Sequence, residues 1–214
     1  MKCILCDQRK AKRFCPAKNG LICAVCCGEK RVLEINCPES CEYLKAGREH
    51  ESADYGKRLR NMGQASLERN RRVLTEHRDV VAHLEYSLSR ERLLSRYLTD
   101  KEAAQALDIL LDTYKTEEKG ILYEKTSDEL RIDSLRRELR NVIESYRNPE
   151  GKESKGIVDP ATTRLRLSSA IECLEFIRSM IDAYMADRHS AAGYLDFLAR
   201  MTPREESHSS IIMP

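Results

Sequence analysis

The chain has 214 residues, 41% hydrophobic and 34% charged, with no Trp, 3 Phe and 9 Cys, a make-up that excludes collagen-like, wholly disordered and polytopic membrane classes. Its 37 basic and 35 acidic residues leave a formal charge of +2, too weak a field over the whole chain to argue for nucleic acid or an acidic membrane as partner. Charge has to be read segment by segment.

Eight cysteines, Cys3, Cys6, Cys15, Cys23, Cys26, Cys27, Cys37 and Cys41, fall in the first 41 residues, and Cys173 stands alone. An exported disulfide framework would need a signal peptide. Here the chain runs instead into Arg9-Lys10-Ala11-Lys12-Arg13 without an apolar stretch. Nor does any later segment hold 18 apolar residues in a row, so no membrane association is expected. The expectation is a cytoplasmic protein whose thiols stay reduced and serve as metal ligands or reactive groups.

A first module is expected over residues 1–48. It holds too few large apolar side chains for their burial to offset the conformational entropy lost on ordering the segment. Structural zinc contributes folding energy directly, and eight thiolates suit two tetrahedral sites, so two Zn2+ ions are expected. Spacing supports ligation. Cys3-x2-Cys6 and Cys23-x2-Cys26 turn two thiolates onto one ion, whereas Cys23-x3-Cys27 and Cys37-x3-Cys41 have the spacing of one helix face. Asn19-Gly20 reads as a tight turn, and Pro16 and Pro38 stiffen the loops after Cys15 and Cys37. One zinc with the remaining thiols free and an iron-sulfur cluster are the competing metal readings; against the cluster stands the absence of a C-x2-C-x2-C-x3-C-P run.

This segment resembles the cross-brace zinc fingers of the MYND and HIT types over about 40 residues. The resemblance implies one ion on Cys3, Cys6, Cys23 and Cys27 and a second on Cys15, Cys26, Cys37 and Cys41. Cys23 with Cys26 is the alternative way to complete the first site.

Ten basic and five acidic residues lie in 1–48, but eight thiolates on two zinc ions would bring the module close to neutral. Arg9, Lys10, Lys12 and Arg13 are the candidate phosphate contacts, with Phe14 and Tyr43 as the available aromatics. The plainer reading makes them solvated loop charges that also balance nearby thiolates.

Beyond the module, residues 49–201 read as helical. Leu67, Leu74, Val81 and Leu88 lie whole heptads apart and predict one amphipathic helix over 51–98. Unbroken, it would reach about 72 Å, so a bend near Gly56 or Gly63, or a coiled-coil partner, is expected. Thr99 to Glu102 is a capping box opening a helix that ends at Lys119-Gly120, and Thr126 to Glu129 predicts a second box. A loop is expected over 148–158, then an Asp159-Pro160 helix start, with Leu167, Ala170, Ile171, Leu174, Ile177, Met180, Ile181 and Tyr184 inward. Cys173 shares that stripe and reads as a core thiol. A short helix over 191–201 and a flexible tail over 202–214 complete a mainly α chain: a small double-zinc finger followed by an antiparallel bundle of four or five helices.

No phosphate-cradling loop, zinc-protease or nucleophile-elbow motif occurs, and His50, His77, His83, His189 and His208 are scattered. The expected function is a non-enzymatic zinc-binding adaptor for protein partners, with homodimerisation through the helical region. Nucleic-acid binding through the finger and the basic helix is the second reading, and thiol redox sensing through zinc release the third.

Overall fold

A computed structural model describes residues 1–149, 164–187 and 190–203. The expected loop beyond Pro149, the Asp159-Pro160 helix start, the tail beyond Pro203, and His189 and His208 lie outside the described residues. The chain divides into two units, one of Met1–Glu49 with the residues from Arg200 on, the other of His50–Ala199.

In the first unit an antiparallel hairpin pairs β1 (Arg13–Cys15) with β2 (Gly20–Ile22), with Arg13 opposite Ile22 and Cys15 opposite Gly20. A single 3-10 turn, Pro16–Lys18, joins them and closes at Asn19, whose φ of 46° is left-handed, a conformation that Asn tolerates better than most residues. Helix α1 (Ala24–Lys30) follows, then α2 (Glu42–Asn61). Between them Val32 turns through a φ of 64° while 2% exposed. That conformation is costly for a β-branched side chain, and Glu34 and Ile35 amides donating to the Lys30 carbonyl, each at 2.9 Å, hold it. The core of this unit is mostly sulfur. One buried cluster consists of Cys3, Cys15, Ile22, Cys23, Cys26, Cys27 and Ile35, so little hydrocarbon is available to stabilise it.

The second unit is helical: the rest of α2, then α3 (Gln64–Glu76), α4 (Arg78–Leu94), α5 (Asp100–Glu118), α6 (Leu130–Arg147), α7 (Leu167–Met185) and α8 (Gly193–Met201). Among the described residues seven helices, α2 to α8, replace the four or five expected of the bundle. Part of the difference is the single helix expected over 51–98, which is three. Gly63 breaks it at a φ of 84°, and His77 at φ −130° and ψ 29° ends α3 and starts α4. The later heptad residues Val81 and Leu88 are 2% and 0% exposed, so that half of the stripe is spent inside the bundle.

Side-chain pairs fix the helix directions. Arg178 meets Asp108 at 2.8 Å and Lys115 meets Glu175 at 2.7 Å, which sets α7 antiparallel to α5. Arg90 to Glu138 at 3.0 Å, with the Tyr146 hydroxyl on the Asp79 carbonyl at 3.3 Å, sets α4 antiparallel to α6. Helices α5 and α6 instead run parallel: Arg131 meets Glu102 at their N-terminal ends, 2.8 Å, and Arg147 meets Glu117 at their C-terminal ends, 2.6 Å. The expectation of a wholly antiparallel bundle is corrected on this point. The chain returns through segment 119–129, which at about 3.3 Å per residue reaches the length of an 18-residue helix rising 1.5 Å per residue. Glu124 fastens this return by joining Arg136 (2.7 Å) and Arg140, while the Lys125 amide donates to the Thr113 hydroxyl at 3.2 Å.

The Thr99 box is formed, with the Glu102 amide donating to Thr99 Oγ1 at 3.2 Å and the Thr99 amide to Glu102 Oε2 at 2.8 Å. The box expected at Thr126 is not. Glu129 occupies the N-cap of α6, and Ser127 only accepts the Glu129 amide at 3.2 Å, an offset of two residues that makes a turn. Along α7, Ala170, Ile171, Leu174, Ile177, Met180 and Ile181 are all buried, and Cys173 is 0% exposed. Burial pushes the Cys173 thiol up to about 12, so it is an inert core group.

Candidate metal centre

The first two ligands come from a knuckle. The Cys3 amide donates to the Arg9 carbonyl at 2.9 Å and the Asp7 amide to the Cys3 carbonyl at 2.8 Å, and the chain reverses at Asp7, where φ is 48°. The hairpin delivers the other two. Ile4 donates to the Leu21 carbonyl (3.2 Å) and Lys12 to the Ile22 carbonyl (3.0 Å), which seats β2 beside the knuckle and leaves Cys23 at the start of α1. Cys23 caps that helix through its sulfur, which accepts the Cys26 amide at 3.3 Å. One turn of α-helix advances about 100° per residue, so Cys26 and Cys27 face different ways.

The sulfurs of Cys3, Cys6, Cys23 and Cys26 all lie within 4.8 Å of one another. Four thiolates at 2.3 Å from a tetrahedral zinc would sit about 3.8 Å apart, so this group fits one ion with a small contraction. Cys3, Cys23 and Cys26 are buried and Cys6 is half-buried. An S4 set of this kind selects zinc or iron.

Electrostatics prepare the knuckle to hold thiolates. Burial acts to raise the Cys3 thiol, but the amides of Cys23, Leu5 and Cys6 outweigh it and bring it down to about 6. The amides of Arg9 and Gln8 pull Cys6 below the ordinary thiol value. Cys26 moves the other way, up to about 12, through burial and then the neighbouring sulfurs of Cys23, Cys6 and Cys3. A cation among them would remove that repulsion. Arg9 supplies part of the compensation already: the thiolates of Cys23 and Cys6 raise its guanidinium above the ordinary value.

The expectation of two zinc ions is corrected to one. Among the described residues no second group of sulfur, imidazole and carboxylate ligands gathers as closely. Cys37 and Cys41 do not share a helix face, because the Cys41 amide donates to the Pro38 carbonyl in a turn at 2.9 Å and Cys41 only precedes α2. Cys15 ends β1, and Cys27 stands outside the four-sulfur group. Burial, with charge at Cys41, Cys15 and Cys27, pushes the Cys37 thiol up. The first site takes Cys26 with Cys23, the alternative pairing, where the finger resemblance implied Cys27, so the structure supports one four-cysteine site and no particular finger family.

The remaining sequence candidates are spread out. Arg13 lies over the Tyr43 ring, 4.8 Å from its centroid, while Lys10 and Lys12 are exposed. Ten Lys and Arg lie between 57 and 96, and of these Arg58, Arg69, Arg72, Arg90 and Arg92 form ion pairs with carboxylates, which takes them out of the pool for phosphates. His83 meets Tyr146 edge-on at 5.9 Å and His77 sits in the α3 to α4 break. The role of Gly47 was not legible in the sequence: a Cβ there would fall 1.2 Å from Arg31 Nη1, so glycine lets that guanidinium cross α2 and donate to the Tyr43 carbonyl at 3.3 Å.

No protein-family model, curated protein or solved structure matches this chain. No helix among the described residues is long and apolar enough to cross a membrane.

Proposed function

We propose that the chain is a non-enzymatic, zinc-dependent adaptor of a reducing compartment, whose small metal-held module and helical unit present surfaces to protein partners. The observation that carries this reading is the four-sulfur group itself. A cation held by four protein thiolates has no coordination position left for a substrate, which is the pattern of structural zinc. The helical unit adds exposed apolar side chains with no structural duty: Leu94, Tyr97 and Leu130, at 74%, 82% and 84%, and Leu122 and Tyr123, at 89% and 66%. Exposed aromatic and aliphatic groups of this kind favour a protein partner.

Elemental analysis of protein purified without chelator tests the first half: the expected content is one zinc per chain, and iron or no metal would overturn it. Pull-down after nuclease treatment tests the second. Partners retained by the wild type and lost from Leu122→Ser with Tyr123→Ser, or from Leu94→Ser with Tyr97→Ser, support the adaptor. Retention that is indifferent to both pairs, or no retention, removes it. Light scattering on the same material reads homodimerisation.

A further inference from the structure

Lys2 and Lys10 face each other as an antiparallel bridge. Like charges placed directly opposite across two strands are destabilising, so the fold gains nothing from this pair. The alternation of an extended chain then puts Lys10, Lys12 and Phe14 on one side and Ala11, Arg13 and Cys15 on the other. Burial follows that alternation: Lys2, Lys10, Lys12 and Phe14 are exposed, Ala11 and Arg13 half-buried and Cys15 buried. Phe14 is 53% exposed although Cys15 beside it helps form the core, so its ring is displayed rather than used for packing.

The neighbourhood is one-signed. Asp7 is the only acidic residue before Glu29, against Lys2, Arg9, Lys10, Lys12, Arg13 and Lys18. One metal ion rather than two also leaves fewer thiolate charges to offset this excess. Arg13 lies over the Tyr43 ring on the side of Ala11 and Cys15, so the cations on the displayed side are the lysines.

We propose that this face, Lys2, Lys10 and Lys12 around Phe14, binds single-stranded nucleic acid, the lysines on phosphates and the Phe14 ring stacked on a base. Residues two apart in a strand are about 6.8 Å apart, comparable to the separation of successive phosphates along one strand. A lone exposed ring among cations suits an unstacked base, and base stacking on an aromatic tolerates any sequence. A duplex hides its base faces from such a ring, and an acidic peptide gives it no flat partner.

The test is fluorescence anisotropy with labelled oligouridylate and oligothymidylate, on zinc-loaded full-length protein. A labelled duplex of equal length and a labelled polyglutamate serve as the other two arms. Binding of the single strands is expected to weaken with salt. For Lys10→Gln with Lys12→Gln the slope of log K against log salt should shrink by about 1.4, two phosphate contacts at about 0.7 each. Phe14→Ala should weaken single-strand binding roughly tenfold and leave polyglutamate unaffected. Zinc content and circular dichroism of each variant separate loss of binding from loss of fold. No binding of the wild type at low salt, equal affinity for the duplex or polyglutamate, or indifference to Phe14→Ala would each overturn the proposal. None of those outcomes bears on the zinc stoichiometry or on the protein pull-down.

Discussion

Asp100, in the first turn of α5, accepts the Tyr194 amide at Oδ2, 2.9 Å, and the Leu195 amide at Oδ1, 3.1 Å. A carboxylate from one helix therefore satisfies the otherwise open N-terminal amides of another, α8. Asp100 is 0% exposed, so Asp100→Ala strands two buried donors, each worth about 1 to 3 kcal/mol. Urea unfolding should show a loss of about 2 kcal/mol or more, and hydrogen exchange should accelerate in α8 before the rest of the bundle. Uniform exchange across all helices would count against this docking role.

Glu85 sits between two phenols. Tyr194 donates to its Oε1 at 2.8 Å and Tyr55 reaches the same oxygen at 3.3 Å. Burial raises the Glu85 carboxyl above its ordinary value, more than these two donors lower it. A folded-state value above the unfolded one contributes stability that is complete below the unfolded value and is lost as pH rises through the folded value. The melting temperature of the wild type relative to Glu85→Gln should thus fall as pH is raised from about 4 into the neutral range. A difference that stays flat with pH refutes the assignment.

The Glu124 clamp has the opposite sign. Arg140 and then Arg136 hold the Glu124 carboxyl below its ordinary value, so its stabilisation is present above that value and lost as pH falls through the depressed one. Arg136 is 1% exposed and keeps Asp133 at 2.8 Å when Glu124 is removed. Glu124→Gln should therefore cost about 1 to 3 kcal/mol at neutral pH rather than the larger penalty of a wholly orphaned buried charge. Proteolysis in 119–129 should rise in step. Unchanged proteolytic resistance would mean that the return segment is held by other contacts.

Cys26 and Cys27 are adjacent in sequence and separable by substitution. Cys26→Ser removes a member of the four-sulfur group, and zinc bound after gel filtration should drop well below one equivalent. Cys27→Ser should retain it. The reverse order of zinc loss would move the site to the pairing that the finger resemblance implied.

Much of this architecture is written in local chemistry. The Thr99 box, the Asn19 turn and the α7 stripe are signals carried within a few residues of where they act. The break at His77 has no such signal, because no Pro or Gly marks it, and the heptad stripe runs straight across it. The parallel pairing of α5 with α6 was equally hidden: it depends on Glu124 finding Arg136 and Arg140 after the chain has doubled back. In the metal centre the C-x2-C spacings were legible. Those two pairs, Cys3 with Cys6 and Cys23 with Cys26, are the ones that gather, whereas the failure of Cys37 and Cys41 to join a second site depends on the turn at Pro38, which thiol counting does not encode.

The return segment should also govern the order of assembly. Neighbouring antiparallel helices can zip from a short connection, whereas α5 and α6 cannot meet until 119–129 has been laid along the bundle and its loop-closure entropy lost. Refolding should then be slower than for an up-and-down bundle of equal size. Weakening the Glu124 clamp should lower the refolding rate if the strap is in place at the barrier, and raise only the unfolding rate if it docks afterwards.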